Sequence, residues 1–283
     1  MEKLIDMHTH TSYSDGELSP NELIDLAINK NIKTLAITDH DTINGIKTVK
    51  PNNKIEVIRG IELAAKAPRG QFHILGYDID IDSPVLNKKM TELKDNSINS
   101  LMALMVEINR DYGISFSHED IKELVNANHN IGRPDIAKFL IRYGYANSVK
   151  EAFTKYLNPS YNKIRSKNKC LYCEECIKLI LDSDGIPVLA HPKQLKMNKR
   201  EFLVLLKYLI TCGLKGIEVY HSCHNEEDIK FYLEVAEANN LLISGGSDFH
   251  GKSVKPDIEL GTGKNNNIKI KQLSLLDEIH RRR

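Results

Sequence analysis

Apolar and polar positions alternate along this chain in two different rhythms. Over the first 80 residues, short apolar runs are separated by one helical stretch and by loops. LIDMHTH, KTLAITDHD, KIEVIRGIEL and FHILGYDI all have strand length and strand character. Between the first two, Ser19-Pro20-Asn21-Glu22 forms a capping-box signature with Pro at the first helical position. The helix ELIDLAINKN follows, with Leu23, Leu26 and Ala27 on one face.

From residue 82 to 165 the rhythm becomes helical throughout. LNKKMTELKDNSINSLMALMVEINRDYG reads as one long helix, and Ser117 caps a second, SHEDIKELVNAN. RPDIAKFLIRYG, ended by Gly144, and SVKEAFTKYL read as two more. After Cys170 the helix–strand alternation resumes. ECIKLILDSDG leads to IPVLAHP, KREFLVLLKYLITCG to GIEVYH, and EEDIKFYLEVAEANN to LLISGGSDFHG. Repeated strand–helix units predict a parallel sheet wrapped by helices, closing as a barrel-like α/β fold. The expected division is one α/β domain over 1–81 and 166–283, interrupted by a helical insertion over 82–165. The tail from Lys264, polar and then basic, is expected to fray.

Charge narrows the function only slightly. With 39 Lys+Arg against 38 Asp+Glu, net charge does not argue for nucleic-acid or membrane binding, though a local basic patch stays open. Polar residues interrupt the N-terminus at once, and no apolar run approaches the roughly 20 residues of a membrane span. A soluble cytoplasmic protein is expected. The five Cys argue against a disulfide framework. Cys170, Cys173 and Cys176 form a C-x-x-C-x-x-C run. It lacks a fourth Cys in register and leads into an amphipathic helix, so it reads as reduced thiols at a helix start.

The chemistry lies at the ends of the apolar runs. His8 and His10, Asp39 and His40, Glu62, His73, His191, Glu218 and His221, Asp248 and His250 fall there. In a parallel barrel the strand C-termini converge on one face, so residues distant in sequence meet in one pocket. Alternate residues of a strand point to one side, which lets the His8-x-His10 pair reach one metal. Mixed nitrogen and oxygen donors suit zinc, manganese or iron better than calcium or magnesium. The candidates outnumber one ion's needs, with Glu62 as a bridging carboxylate. Paired metals favour phosphoryl chemistry, because they hold both the attacking and the leaving oxygen.

The ordered set DMHTHTSYSDG, ITDHDT, GIEL, FHILGY, VLAHP, GIEVYH and GGSDFHG resembles the PHP superfamily, named for polymerase and histidinol phosphatase. It is most similar to the TrpH-like branch of stand-alone phosphoesterases, from residue 1 to about 263 and including IGRPDIAKFL. The resemblance implies a distorted (β/α)7 barrel with a helical cap subdomain and a centre of two or three divalent ions, manganese first, with zinc or iron as alternatives. It implies that His8, His10, Glu62 and Asp248 hold one ion, that Glu62 bridges to a second held by His73 and His191, and that Asp15, His40 and His250 hold the third. Asp15, His40, Glu62 and His221 would be the catalytic positions. Arg133, His221 and His224 would contact phosphate, the two histidines within a Y-H-x-x-H element. Where the branch commonly carries R-P-H, this chain has Arg133-Pro134-Asp135, which places a carboxylate where a phosphate-contacting histidine is expected.

The implied reaction is hydrolysis of nucleotide phosphate monoesters (nucleoside 5′-monophosphates or 3′,5′-bisphosphonucleotides), or 5′–3′ exonuclease action on short RNA, by metal-supplied hydroxide. The alternatives are a histidinol-phosphate phosphatase and a non-catalytic metal-stabilised module. The expected partners are a small phosphate ester or nucleotide and short RNA, with no membrane. The oligomeric state is left open.

Overall fold

The computed structural model describes residues 3–164 and 170–283. Two compact units emerge, one running up to Asn87 and resuming at Cys170, the other beginning at Lys88. The first boundary therefore falls inside a helix rather than at residue 82. The expected boundary at 165/166 lies outside the described residues.

The first unit is built on a seven-stranded sheet in sequence order. Its strands are β1 (Leu4–Asp6), β2 (Ile32–Ile37), β3 (Glu56–Ala65), β4 (Phe72–Tyr77), β5 (Ile186–Leu189), β6 (Gly216–His221) and β7 (Leu242–Gly246). Around it run α1 (Pro20–Asn29), α2 (Asn44–Lys47), α8 (Cys173–Asp182), α9 (Lys199–Thr211) and α10 (Glu226–Ala238). The predicted Ser19 capping box is present, with Glu22 answering the cap. Asn198–Glu201 and Asn225–Asp228 form the same device on α9 and α10. These boxes satisfy backbone N–H groups that a helix start leaves free.

The sheet is not all parallel, as the strand–helix rhythm suggested. β3 turns directly into β4, and β4 pairs antiparallel with both β3 and β5, while the other neighbours are parallel. No helix separates β3 from β4, so the chain makes a hairpin instead of a crossover. The barrel closes through Met7, whose N–H donates to the Gly245 carbonyl at 3.2 Å, and through the Thr9–Phe249 bridge. Gly246 permits this approach, since a Cβ there would sit 2.3 Å from the His8 nitrogen.

The barrel interior is packed by Ile5, Met7, Ile58, Leu75, Tyr77 and Val188, among others. Tyr77 is fully buried; its hydroxyl donates to the Met7 carbonyl at 2.9 Å and accepts from Ser244 at 3.1 Å, tying β4 to β1 and β7. The C-terminal tail is ordered, contrary to the expectation of fraying. Ile268 and Ile270 join the interior, and α11 (Ser274–Arg282) buries Leu275, Leu276 and Ile279. Three buried residues on one face outweigh the exposed basic end.

The second unit is helical, as its sequence predicts. The long α3 (Pro84–Tyr112) leads into it, followed by α4 (His118–Val125), α5 (Arg133–Arg142) and α6 (Val149–Ala152). The predicted helix SVKEAFTKYL breaks after α6 into a π-helical turn, Phe153–Leu157, and then α7 (Asn158–Ile164). Its own core holds Leu104, Ile108, Leu124, Ile136, Phe139, Leu140 and Leu157. Among the described residues, no helix is long and apolar enough to cross a membrane.

Candidate metal centre

The first unit brings the strand-end histidines and carboxylates together at one end of the barrel. β1 ends at Asp6, so His8 and His10 follow it in the segment that pairs with Phe249. Glu62 lies within β3, where its backbone bridges to His40, rather than at the strand end. His73 stands at the start of β4, also unlike the expectation. Because β4 is antiparallel, its start lies on the face where the parallel strands finish, opposite Ala64.

Glu62 organises the centre. Its Oε2 lies 3.1 Å from His8 Nε2, 3.1 Å from His10 Nε2 and 3.3 Å from His40 Nδ1. Its Oε1 lies 2.8 Å from both His73 Nδ1 and His191 Nε2. One buried carboxylate thus divides five imidazoles into two sets. Burial alone would raise the Glu62 carboxyl, but the surrounding His40, His8 and His73 hold it well below the ordinary carboxylate range.

Asp248 occupies the opposite side of the first set. Its Oδ1 is 3.3 Å from His10 Nε2, 3.7 Å from His8 Nε2 and 3.4 Å from His250 Nδ1. Asp15, half-exposed, reaches His250 Nε2 at 3.2 Å, His10 at 3.6 Å and His40 at 3.9 Å. His10, Asp15, His40 and His250 form a group whose ligand atoms all lie within 4.8 Å of one another. Burial pushes the His40 imidazole down to about 3 and that of His191 to about 4, so both keep a free lone pair at neutral pH.

The donors fit metal ions better than they fit one another. His73 Nδ1 and His191 Nε2 approach to 3.2 Å while sharing one carboxylate oxygen. His10 Nε2, though close to Glu62 Oε2 and Asp248 Oδ1, is buried and makes no well-directed hydrogen bond among the described residues. Two of these residues also carry left-handed backbone, His191 at φ 24° and Asp248 at φ 57°. Such conformations cost roughly 1–3 kcal/mol each and persist only where neighbours enforce them.

Several supporting residues carried no assigned role at the sequence level. Glu218, fully buried on β6, accepts from His8 Nδ1 at 2.9 Å and from the His191 N–H at 2.7 Å. That bond keeps a proton on His8 Nδ1, so that Nε2, 3.1 Å from Glu62 Oε2, is the nitrogen that would ligate. Asp39 accepts from the Thr11 N–H, Thr11 Oγ1 and Ser14 Oγ, each at 2.7 Å, and so fixes the loop that carries Asp15. Lys255 Nζ donates to Asp248 Oδ2 at 2.7 Å and brings a cation to the centre. Glu218 is legible as a strand-end acid. Lys255 has no sequence signal that separates it from other surface lysines.

His221 Nε2 lies 3.5 Å from Asp248 Oδ2, and Glu218 beside it helps raise its imidazole to about 10 against the opposing effect of burial. His224 sits next to it, with Nδ1 donating to the Val219 carbonyl at 2.7 Å. Burial would raise the Cys223 thiol between them, yet the imidazoles of His221, 3.0 Å from its sulfur, and of His224 bring it down to about 6. Cys173 and Cys176 are buried on the first turn of α8, and Cys170 is exposed. Among the described residues, this run does not gather into a ligand group.

In the second unit, Arg133 begins α5. Its guanidinium lies 4.4 Å from the Tyr161 ring centre and donates to Asn158 Oδ1 at 3.1 Å. Asp135 caps the same helix, accepting from the Gly132 N–H at 2.8 Å, from Lys138 at 3.0 Å and from His129 at 3.1 Å. Burial opposes its ionisation, but these three donors lower its carboxyl to about 2.

The sequence pattern of the PHP domain matches residues 6–243. The chain is 27% identical over 249 residues to a 3′,5′-nucleoside bisphosphate phosphatase of Chromobacterium violaceum, covering 87% of each chain. It is 28% identical over 263 residues to the 5′-3′ exoribonuclease Rnm of Escherichia coli, covering 91% of this chain and 88% of that one. A Bifidobacterium adolescentis protein, solved as a candidate metal-dependent phosphoesterase, superposes with a TM-score of 0.75 at 25% identity. The match covers 99% of this chain and 96% of that one.

Proposed function

The chain belongs to the PHP family of metal-dependent phosphoesterases, and on that premise we propose that it hydrolyses phosphate esters of nucleotides or of short RNA 5′ ends. The observation that carries this reading is Glu62, whose two oxygens face two separate sets of histidines. A carboxylate so placed would be shared between cations held by the two sets. The names of the two curated relatives, a nucleotide phosphatase and an exoribonuclease, support the substrate class.

The proposed ligand sets are His8, His10, Glu62 and Asp248 for one ion, Glu62, His73 and His191 for a second, and Asp15, His40 and His250 for a third. Their nitrogen and oxygen donors suit manganese first, then zinc or iron. Bound there, the ions supply hydroxide near neutral pH and offset charge on the phosphoryl oxygens. The chain's own residues orient and shuttle protons. Glu218 fixes the His8 tautomer and, through the His191 N–H, the backbone that presents His191. Lys255 is placed to turn from Asp248 toward a phosphate oxygen. His221, with Nε2 facing Asp248, is placed to hand a proton to the leaving oxygen. His224, anchored to Val219, buttresses that turn. Arg133 is proposed as a phosphate-binding residue, since a guanidinium grips phosphate through two parallel bonds. Asp135, engaged by three donors, is assigned to capping α5.

A phosphate-release panel with manganese tests the reading. It comprises AMP, 3′,5′-bisphosphoadenosine, 5′-phosphorylated short RNA and histidinol phosphate. Release from at least one nucleotide substrate is expected, and H8A should abolish it. Release from histidinol phosphate alone would move the assignment to that phosphatase.

A further inference from the structure

Beyond β6 the chain reads His221-Ser222-Cys223-His224, and the turn gathers a second kind of ligand set. The ligand atoms of His221, Cys223 and His224 all lie within 4.8 Å of one another. Cys223 Sγ is 3.0 Å from His221 Nδ1. His221 and His224 are 1% and 2% exposed, and Cys223 is half-buried.

The tautomers suit a cation. His224 Nδ1 is committed to the Val219 carbonyl, which leaves the lone pair on Nε2. That Nε2 is buried and, among the described residues, has no hydrogen-bond partner. An unsatisfied buried acceptor is destabilising, so a structure that keeps one gains from a ligand there. A carbonyl on the far nitrogen is also the usual outer partner of a metal-bound histidine. The Cys223 N–H and Sγ each lie 3.0 Å from His221 Nδ1, the nitrogen that would ligate. An ion on Nδ1 would replace this local contact. The proton then sits on Nε2, facing Asp248. Asn267 Nδ2 holds the turn rigid, donating to the carbonyls of His221, Ser222 and His224 at 3.1, 3.2 and 3.0 Å.

We propose that His221, Cys223 and His224 form a separate cation site, selective for a thiophilic divalent ion of the zinc class, with the fourth position open to water. The nine candidate ligands of the centre bounded by Glu62 and Asp248 are all nitrogen and oxygen donors. Among the described residues this ligand group is the one that adds sulfur, and thiolate favours zinc over manganese or magnesium. On binding, a metal–sulfur bond forms to the Cys223 thiolate, and the proton shared by the Cys223 sulfur and His221 Nδ1 passes to solvent. His221 then lies between the two sites, with Nδ1 toward the ion and Nε2 3.5 Å from Asp248 Oδ2.

Cobalt reports the site directly, because only a thiolate ligand gives a sulfur-to-cobalt charge-transfer band. The full chain, stripped with chelator and reloaded with cobalt, should show that band, and zinc should displace it. C223S should lose the band and one ion per chain, while a C173S/C176S double variant should keep both. Independently of any variant, zinc should protect Cys223 of the wild-type chain from alkylation, read by peptide mass mapping. No band in a cobalt-loaded wild-type chain, a band that survives in C223S, or alkylation of Cys223 unaffected by zinc would overturn the proposal. Failure of the phosphate-release panel would leave these readouts unchanged, so the two readings fail separately.

Discussion

Replacing Glu218 with Gln removes one charge from the centre and almost no volume. In the native arrangement, its two oxygens accept from His8 Nδ1 at 2.9 Å and the His191 N–H at 2.7 Å. A carboxamide has one acceptor oxygen and one donor nitrogen, so it can keep only one of these bonds and turns a donor against the other. Hydrogen bonds to a charged group contribute about 1.5–3 kcal/mol. Much of that loss would fall on the metal-competent state, because His8 loses its tautomer lock or His191 the brace on its left-handed backbone. At about 1.4 kcal/mol per decade, and in line with other outer-shell substitutions, metal affinity should fall roughly 10- to 100-fold. The assay is a manganese titration of the chelator-stripped protein, read by phosphate release from 3′,5′-bisphosphoadenosine. The half-saturating metal concentration should rise by that factor, while much of the rate returns at excess metal and the circular dichroism spectrum is unchanged. A variant that titrates like the wild type would refute the reasoning, since the two bonds would then carry no part of ligand placement.

Three further outcomes follow from the same geometry. K255A should raise KM for phosphate esters several-fold with a smaller effect on kcat, measured by steady-state kinetics at saturating metal, because it removes the cation beside Asp248. D135A should destabilise the chain by about 1–2 kcal/mol in chemical denaturation at pH 7, the cost of a lost charged helix cap. The Asp135 carboxyl is lowered to about 2 when folded, against roughly 3.9 in an unfolded chain, so this contribution is full above about pH 4 and disappears as pH falls through about 2. G246A should weaken barrel closure and lower thermal stability, because the new methyl meets the His8 backbone at 2.3 Å.

Much of the fold is legible in the chain because local signals and tertiary structure agree. Ser19 and Ser117 cap the helices that they precede in sequence. The helical rhythm after residue 82 becomes a unit with its own core. The direction of β4 is masked by the strand–helix rhythm on either side, although the loop between Ala65 and Phe72 is too short for a crossover. That one reversal is what carries His73, at a strand start, to the same face as His191 and Asp248. The tail misleads because its charge suggests solvation, while Leu275, Leu276 and Ile279 decide its burial. Within the centre, residue types at strand ends identify candidate ligands. Which oxygen of Glu62 faces which histidine is a property of three-dimensional packing alone.

The central claim, a carboxylate bridging cations for phosphoryl hydrolysis, is tested most directly by counting metal on the chelator-stripped chain after reloading with manganese. Phosphate release from 3′,5′-bisphosphoadenosine should be followed in the same samples. The account predicts two or three ions per chain, release that appears as they bind, and loss of both bound metal and release in E62Q. Full-rate release by the stripped chain, or an E62Q variant that keeps the wild-type metal content and rate, would contradict it.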